Sequence, residues 1–292
     1  MSKSSRIDMR RAYRKIIPGA IRRRVYPVIR RRHGIVPYLV DGSVRNMPQR
    51  LRSLQGSYTG ERCFVMGNGP SLNQMDLELF RHEHVWGSNK CYLLFERISW
   101  RPAFYVAVDT RVVPDIAGDI NNLVRSLPKM ASFFPVMFRE RRMLQSAPNV
   151  YWYREVYLDE TNLPDSMFTR DASKWVSSVR SVTIAALQLA VYLGFNPIYL
   201  IGCDTSYSVR STVRTEGDNS DMLISVQDDD MNHFDPRYFG AGSKYHEPYV
   251  DRMIFHYEQA RKVCYSLGVN VLNATVGGNL EVFPRVDYTE LF

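Results

Sequence analysis

Short apolar runs alternate with polar turns from about residue 60 to the end of the chain. Runs at 62–66, 84–87, 103–108, 132–138 and 149–153 have the length and β-branched or aromatic content of buried strands. A longer apolar stretch at 181–193 reads as a buried helix, followed by a strand at 198–202, a helix at 247–267 and a strand at 269–273. Ser71, three residues before Gln74, reads as a capping box opening a helix over 72–80, with Pro70 at its entry. The alternation predicts an α/β fold, Rossmann-like, with a mostly parallel sheet and helices on both faces. Residues 59–292 would form this single domain, and 36–58, with Pro37, Gly42, Pro48 and Gly56, would be a connector.

The pattern changes in two places. Residues 1–35 hold twelve Lys/Arg against Asp8, a net of +11, while the whole chain carries only +8. Basicity therefore belongs to the tail, and the remainder is mildly acidic. Ile7, Met9, Tyr13, Ile17, Ile21, Val25 and Ile29 interleave with the charges, which predicts one or two short basic amphipathic helices suited to an anionic membrane surface. A solvated tail or an RNA-binding arm is the alternative use of such a segment, but no nucleic-acid motif follows, and no nucleic-acid partner is expected. The second change is at 205–246, where regular patterning stops and a polar, aromatic stretch reads as a lid loop.

Composition narrows the classes further. At 292 residues and 45% hydrophobic, the chain can bury one substantial core. Cys63, Cys91, Cys203 and Cys264 lie far apart, without zinc spacing or a disulfide framework. No signal-peptide layout and no spanning apolar segment is present, so the expected location is cytoplasmic, peripheral at the inner face of the cell membrane. Asp228, Asp229 and Asp230 are candidate ligands for a divalent cation, though charge runs are commonly solvated and no metal is expected.

Ligands of open parallel sheets bind at the carboxyl ends of the strands, so the residues after each strand carry the functional reading. These are Gly67, Asn68, Gly69 and Ser71; then Ser88 and Asn89; then Asp109; then Asp204 and Tyr207. Two glycines between a strand and a helix let backbone N–H groups approach a phosphate, although the same turn serves plain packing, and Asp109 and Asp204 can equally cap turns. A sugar hydroxyl needs a base near neutrality, which points to His246 at the junction of lid and helix; helix capping is the competing role. Negative charge on a leaving nucleotide would be met by the N–H groups of the turn, tyrosine hydroxyls, Arg237 or Lys244.

Gly67-Asn68-Gly69-Pro70-Ser71-Leu72, Ser88-Asn89-Lys90-Cys91-Tyr92, Ser181-Val182-Thr183-Ile184-Ala185-Ala186 and the run from Leu193 to Asp204 resemble the bacterial lipooligosaccharide sialyltransferases of glycosyltransferase family forty-two. The same blocks, with the ending from Asn273 to Val286, resemble the wider MptE-like group, which includes flagellin-glycosylating proteins. The resemblance covers most of residues 60–290. It implies a metal-independent transferase using a CMP-activated acidic sugar, a sialic-acid-like or other ulosonic acid, and a glycan or lipid-linked glycan acceptor in surface polysaccharide or glycoconjugate synthesis. It places Asn68, Gly69 and Asn89 near nucleotide and donor, Asp109 where the family often has Asn, Asp204 at the Asp that ends the later strand, and His246, with His233 as competitor, as general base. Tyr207 falls one residue from the first lid tyrosine, and Tyr238 and Tyr245 are candidates for the second. Ser181 and Thr183 flank the family serine, which here is Val182. The archaeal branch implies an alternative, a magnesium- and ATP-dependent 6-hydroxymethylpterin diphosphokinase; a non-enzymatic nucleotide-binding scaffold is a third reading, and a homo-oligomer is compatible with any of them.

Overall fold

The computed structural model describes residues 47–156, 167–178, 181–216 and 219–292. The tail at 1–35 and most of the connector lie outside the described residues. Helix α1 (Met47–Arg52) precedes β1 (Cys63–Met66), β2 (Val85–Ser88) and β3 (Phe104–Val106). Then come α2 (Val112–Ser126), β4 (Ala131–Pro135), α3 (Val136–Glu140) and β5 (Val150–Tyr153). Next are α4 (Val182–Leu193), β6 (Ile198–Ile201), β7 (Val213–Glu216), β8 (Asn219–Ser225), β9 (Lys244–His246), α5 (Val250–Ser266) and β10 (Val271–Asn273). Seven strands form one sheet in the order β10-β6-β1-β2-β3-β4-β5, and every neighbouring pair in it is parallel. The described residues from 47 to 155 and from 167 to 292 make one compact unit.

Both faces of this sheet are covered, which is why its strands read as continuous apolar runs rather than alternating ones. Phe64, Met66 and Tyr105 point to one face, against Val113, Ile116 and Ile120 of α2. Cys63, Val65, Phe104 and Val106 point to the other, against Ile184 and Leu187 of α4 and Tyr257 and Ala260 of α5. Side chains at successive positions of a strand alternate between faces, so one run feeds two cores. The expected α/β, Rossmann-like architecture is what the chain adopts.

Several elements differ from expectation. The helix expected over 72–80 is two 3-10 segments, Pro70–Gln74 and Leu77–His82, interrupted where the Asp76 carboxylate accepts from Glu78 N at 3.0 Å and restarts the turn. The capping box does not form: Ser71 Oγ donates to Asp204 Oδ2 at 2.6 Å instead. The strand expected over 132–138 stops at Pro135 and continues as α3, because a short apolar run fits a buried helix as well as a strand. Helix α2 was not among the expected elements; Pro114 and Gly118 obscure it, but Pro114 lies in the first turn, where no intrahelical N–H bond is lost. The lid is not irregular throughout. Strands β7, β8 and β9 form a separate antiparallel sheet.

Candidate functional site

Strands β1 to β5 build outward in one direction from β1, whereas β6 and β10 lie on its other side. The reversal of strand order falls between β1 and β6, and open α/β sheets place ligands in the crevice outside the carboxyl ends at such a point. The loops carrying Asn68, Asn89, Asp109 and Asp204 follow β1, β2, β3 and β6, four adjacent strands, so the topology brings these candidates to one rim.

At the β1/β6 side the rim is closed by its own hydrogen bonds. Gly67 N donates to Ile201 O at 2.8 Å, Gly69 N to Gly202 O at 2.9 Å, and Ser71 N to Asp204 Oδ1 at 3.0 Å. These glycines are required by packing: a Cβ on Gly67 would lie 2.3 Å from Gly202 O, and one on Gly69 would lie 1.8 Å from Asp204 Oδ2. The expected phosphate cradle of backbone N–H groups is therefore corrected, since the N–H groups of Gly67, Gly69 and Ser71 are already spent on the neighbouring loop. Asp204 clamps the turn rather than facing outward. Burial pushes its carboxyl up, and the Ser71 hydroxyl and amide oppose that rise. Ser181 caps α4, accepting from Thr183 N at 3.3 Å, and Thr183 is buried beside Cys203.

One strand further, the polar groups are not all satisfied. Asn68 and Asn89 are each 8% exposed; Asn68 Nδ2 donates to Ser88 Oγ at 2.9 Å, yet Oδ1 of both asparagines is buried without a hydrogen-bond partner. Asn89 also holds a left-handed backbone, φ 46°, a conformation that costs free energy in a non-glycine residue and concentrates at functional sites. Two orphaned acceptors suit a ligand that brings donors, such as hydroxyl or amino groups. Lys90 follows directly. Burial lowers its ammonium against the pull of Asp115 and Asp119, and the hydrogen bond found for it is a long one to Ser243 Oγ, 3.3 Å.

Beyond β3, His246 Nδ1 lies 3.1 Å from Asp109 Oδ2, with both side chains about one-third exposed, 30% and 29%. Burial pushes the Asp109 carboxyl up, but His246 and the Arg111 and Val112 amides outweigh this and hold it below the ordinary carboxylate value. An ionised carboxylate only accepts, so Nδ1 carries the hydrogen and the lone pair of neutral His246 is on Nε2. Asp109 keeps its bland role as well: its Oδ1 accepts from Arg111 N at 2.6 Å and Val112 N at 3.1 Å at the start of α2. His246 does not cap α5, whose first turn follows Tyr249 without a side-chain cap.

His233 forms a second dyad, Nδ1 to Asp230 Oδ2 at 2.8 Å, with side chains 12% and 1% exposed. Its ring stacks on Tyr238 at 4.0 Å between centroids. Tyr238 is 1% exposed, with its hydroxyl beside the Asn89 side chain, and the Tyr245 hydroxyl accepts from Arg210 Nη2 at 2.9 Å. Tyr207, 39% exposed, stays near the charges of Asp204 and Asp230. Arg237 is bound to Asp235 at 2.7 Å and Glu96 at 3.2 Å, which removes it from the expected role at the leaving group.

The aspartate run does not converge. Asp228 accepts from Ala241 N, Asp229 from Arg210 and Thr212, and Asp230 from His233 and Phe239 N. Among the described residues no group of three or more His, Cys, Asp or Glu is arranged to hold a metal ion. Sequence reasoning missed Lys90 and the pairing of Asp230 with His233. An Asp three residues before a His in a turn-rich segment was the available signal for the last.

No curated protein matches the chain. Its structure is similar to the MAf glycosyltransferase from Magnetospirillum magneticum AMB-1, with a TM-score of 0.47 and 15% identity, over 85% of this chain and 39% of that one. The chain thus spans about two-fifths of that protein's length. The family model for proteins described as 6-hydroxymethylpterin diphosphokinase MptE-like matches residues 42–210, more than half of the chain and the whole stretch from β1 to the loop after β6. With the Gly-Asn-Gly turn, the β2 asparagine and the clamping aspartate after β6 all inside that match, the chain belongs to the MptE-like family.

Proposed function

We propose that this protein is a glycosyltransferase that moves an acidic sugar from a CMP-activated donor to a glycan hydroxyl, with His246 as general base. The observation that carries the reading is the His246–Asp109 dyad, at the end of β3, one strand from the unpartnered carboxamide oxygen of Asn89. An acceptor hydroxyl within reach of Nε2 loses its proton as its oxygen attacks the anomeric carbon; Asp109 stabilises the imidazolium formed. The Asn68 and Asn89 oxygens accept from donor hydroxyl or amino groups and fix its orientation. The quoted likeness to the family forty-two sialyltransferases supports the CMP-sugar donor, and the basic tail suits an acceptor carried on lipid at an anionic membrane.

The test is release of CMP from CMP-linked nonulosonic acids, with and without acceptor, in the presence of chelator. Turnover is expected to persist with chelator and to fall by about 10²-fold or more in His246→Asn. A second reading follows from the family's description, a diphosphokinase acting on a hydroxymethylpterin. Formation of AMP from ATP with magnesium and the pterin, and none of CMP from CMP-sugars, would establish it and discard the transferase.

A further inference from the structure

We infer that His233 is a catalytic residue of the leaving-group side, binding and protonating the departing phosphate while His246 serves the acceptor. This rests on the nucleotide-sugar reading above. Three observations on position carry it. Phe234 N donates to Asn68 O at 3.0 Å, which pins the chain next to His233 onto the loop after β1, and His233 acts electrostatically on Asp204 after β6. His233 is therefore on the β1/β6 side, at the reversal of strand order, where nucleotide phosphates sit in open α/β sheets. His246 is bound to the loop after β3, two strands from β1, or roughly 10 Å across the sheet.

The second argument is by hydrogen bonding. Asp230 holds Nδ1 of His233 and is itself fixed by Asn232 N and Phe239 N, so the ring is tied to a carboxylate that two backbone amides keep in place. Nε2 has no partner among the described residues and is not buried. On this side several other donors are committed: the Gly67, Gly69 and Ser71 amides to the β6 loop, Arg210 to Asp229, Ser225 and Tyr245, and Arg237 to Asp235. His246 and His233 thus belong to different parts of the rim, the loop after β3 and the β1/β6 side, so one can serve the attacking oxygen and the other the departing one.

The step balances as follows. The acceptor oxygen bonds to the anomeric carbon and gives its proton to Nε2 of His246. The bond from that carbon to the phosphate oxygen breaks with its electron pair on the phosphate, which takes the Nε2 proton of His233 imidazolium. Exchange with water then resets both rings.

Binding of product tests this without turnover. Thermal shifts are measured with CMP, cytidine, ADP and ATP for wild type, His233→Asn and His246→Asn; asparagine keeps a donor toward each carboxylate and deletes the outer nitrogen. His233→Asn is expected to lose about half or more of the CMP shift while keeping the cytidine shift, and His246→Asn to keep both. His233→Gln, which restores a nitrogen near Nε2, is expected to recover part of it, which separates phosphate binding from a loss of folding. An undiminished CMP shift in His233→Asn, or an equal loss with cytidine, overturns the assignment. Were wild type stabilised by ADP or ATP and not by CMP, the same loss in His233→Asn would sustain the role of His233 and discard the CMP donor. A wild-type protein stabilised by none of these nucleotides overturns both.

Discussion

Two histidines equally plausible by type are separated by their surroundings. His246 and His233 both present Nδ1 to a carboxylate, but the first is bound to the strand end after β3 and the second is stacked in the lid beside β1 and β6. Asp109→Asn should lower turnover by about 10²-fold, because an amide that donates to Nδ1 leaves the hydrogen on Nε2. The partner carboxylates also predict an acid sensitivity. Burial pushes the Asp230 carboxyl up, but His233 and the Asn232 amide outweigh this and hold it low, as for Asp109. A carboxyl depressed in the folded state stabilises above its unfolded value, about 3.9, and that contribution disappears as pH falls through the lower folded value. Asp230→Asn should therefore cost more stability at pH 7 than at pH 3, measured by thermal unfolding at the two pH values. Asp204, raised by burial, has the opposite sign. Of this scale, the residue types and the strand ends were legible in the sequence. The orphaned oxygens of Asn68 and Asn89 were not, because the lack of a partner is a property of everything packed around them.

At the scale of elements, the turn after β1 and the loop after β6 behave as one clamp. Ser71 Oγ and N both donate to the Asp204 carboxylate, and Gly69 leaves no room for a side chain against it. Gly69→Ala should destabilise the protein by about 1–3 kcal/mol by overpacking. Asp204→Ala should cost a similar amount, about 1–3 kcal/mol, since it leaves the buried amide and hydroxyl of Ser71 without their acceptor. Urea unfolding of both variants measures this, and the clamp is wrong if either unfolds like wild type. The apolar runs gave the sheet and both long helices after it, because periodicity and burial coincide there. They failed at α2, at the split after Pro70 and in the lid, where short segments take their form from distant partners: Ser71 from Asp204, and β9 from Asp115 of α2 through Lys244 N at 3.1 Å.

For the whole molecule, charge and fold are segregated. With +11 in residues 1–35, the remainder of the chain carries −3, so the tail is the expected source of any attraction to an anionic surface. Deleting residues 1–35 should abolish binding to phosphatidylserine vesicles, and raising salt from about 0.1 M to 1 M should weaken binding of the full chain as the screening length shrinks from about 10 Å to 3 Å. Co-sedimentation reads both. Among the described residues no helix is long and apolar enough to cross a membrane. The sequence by itself determined the α/β class, the sequence of strands that feed the parallel sheet, the basic tail and the polar rim, since these depend on local patterning and on charge summed along the chain. Tertiary structure alone decided that the glycine turn is locked by β6 rather than open to phosphate, that Tyr238 and Tyr245 belong to the packed lid, and that the two histidines take separate carboxylates at separate ends of the rim. Each of those is fixed by contacts between residues far apart in sequence, which no local pattern records.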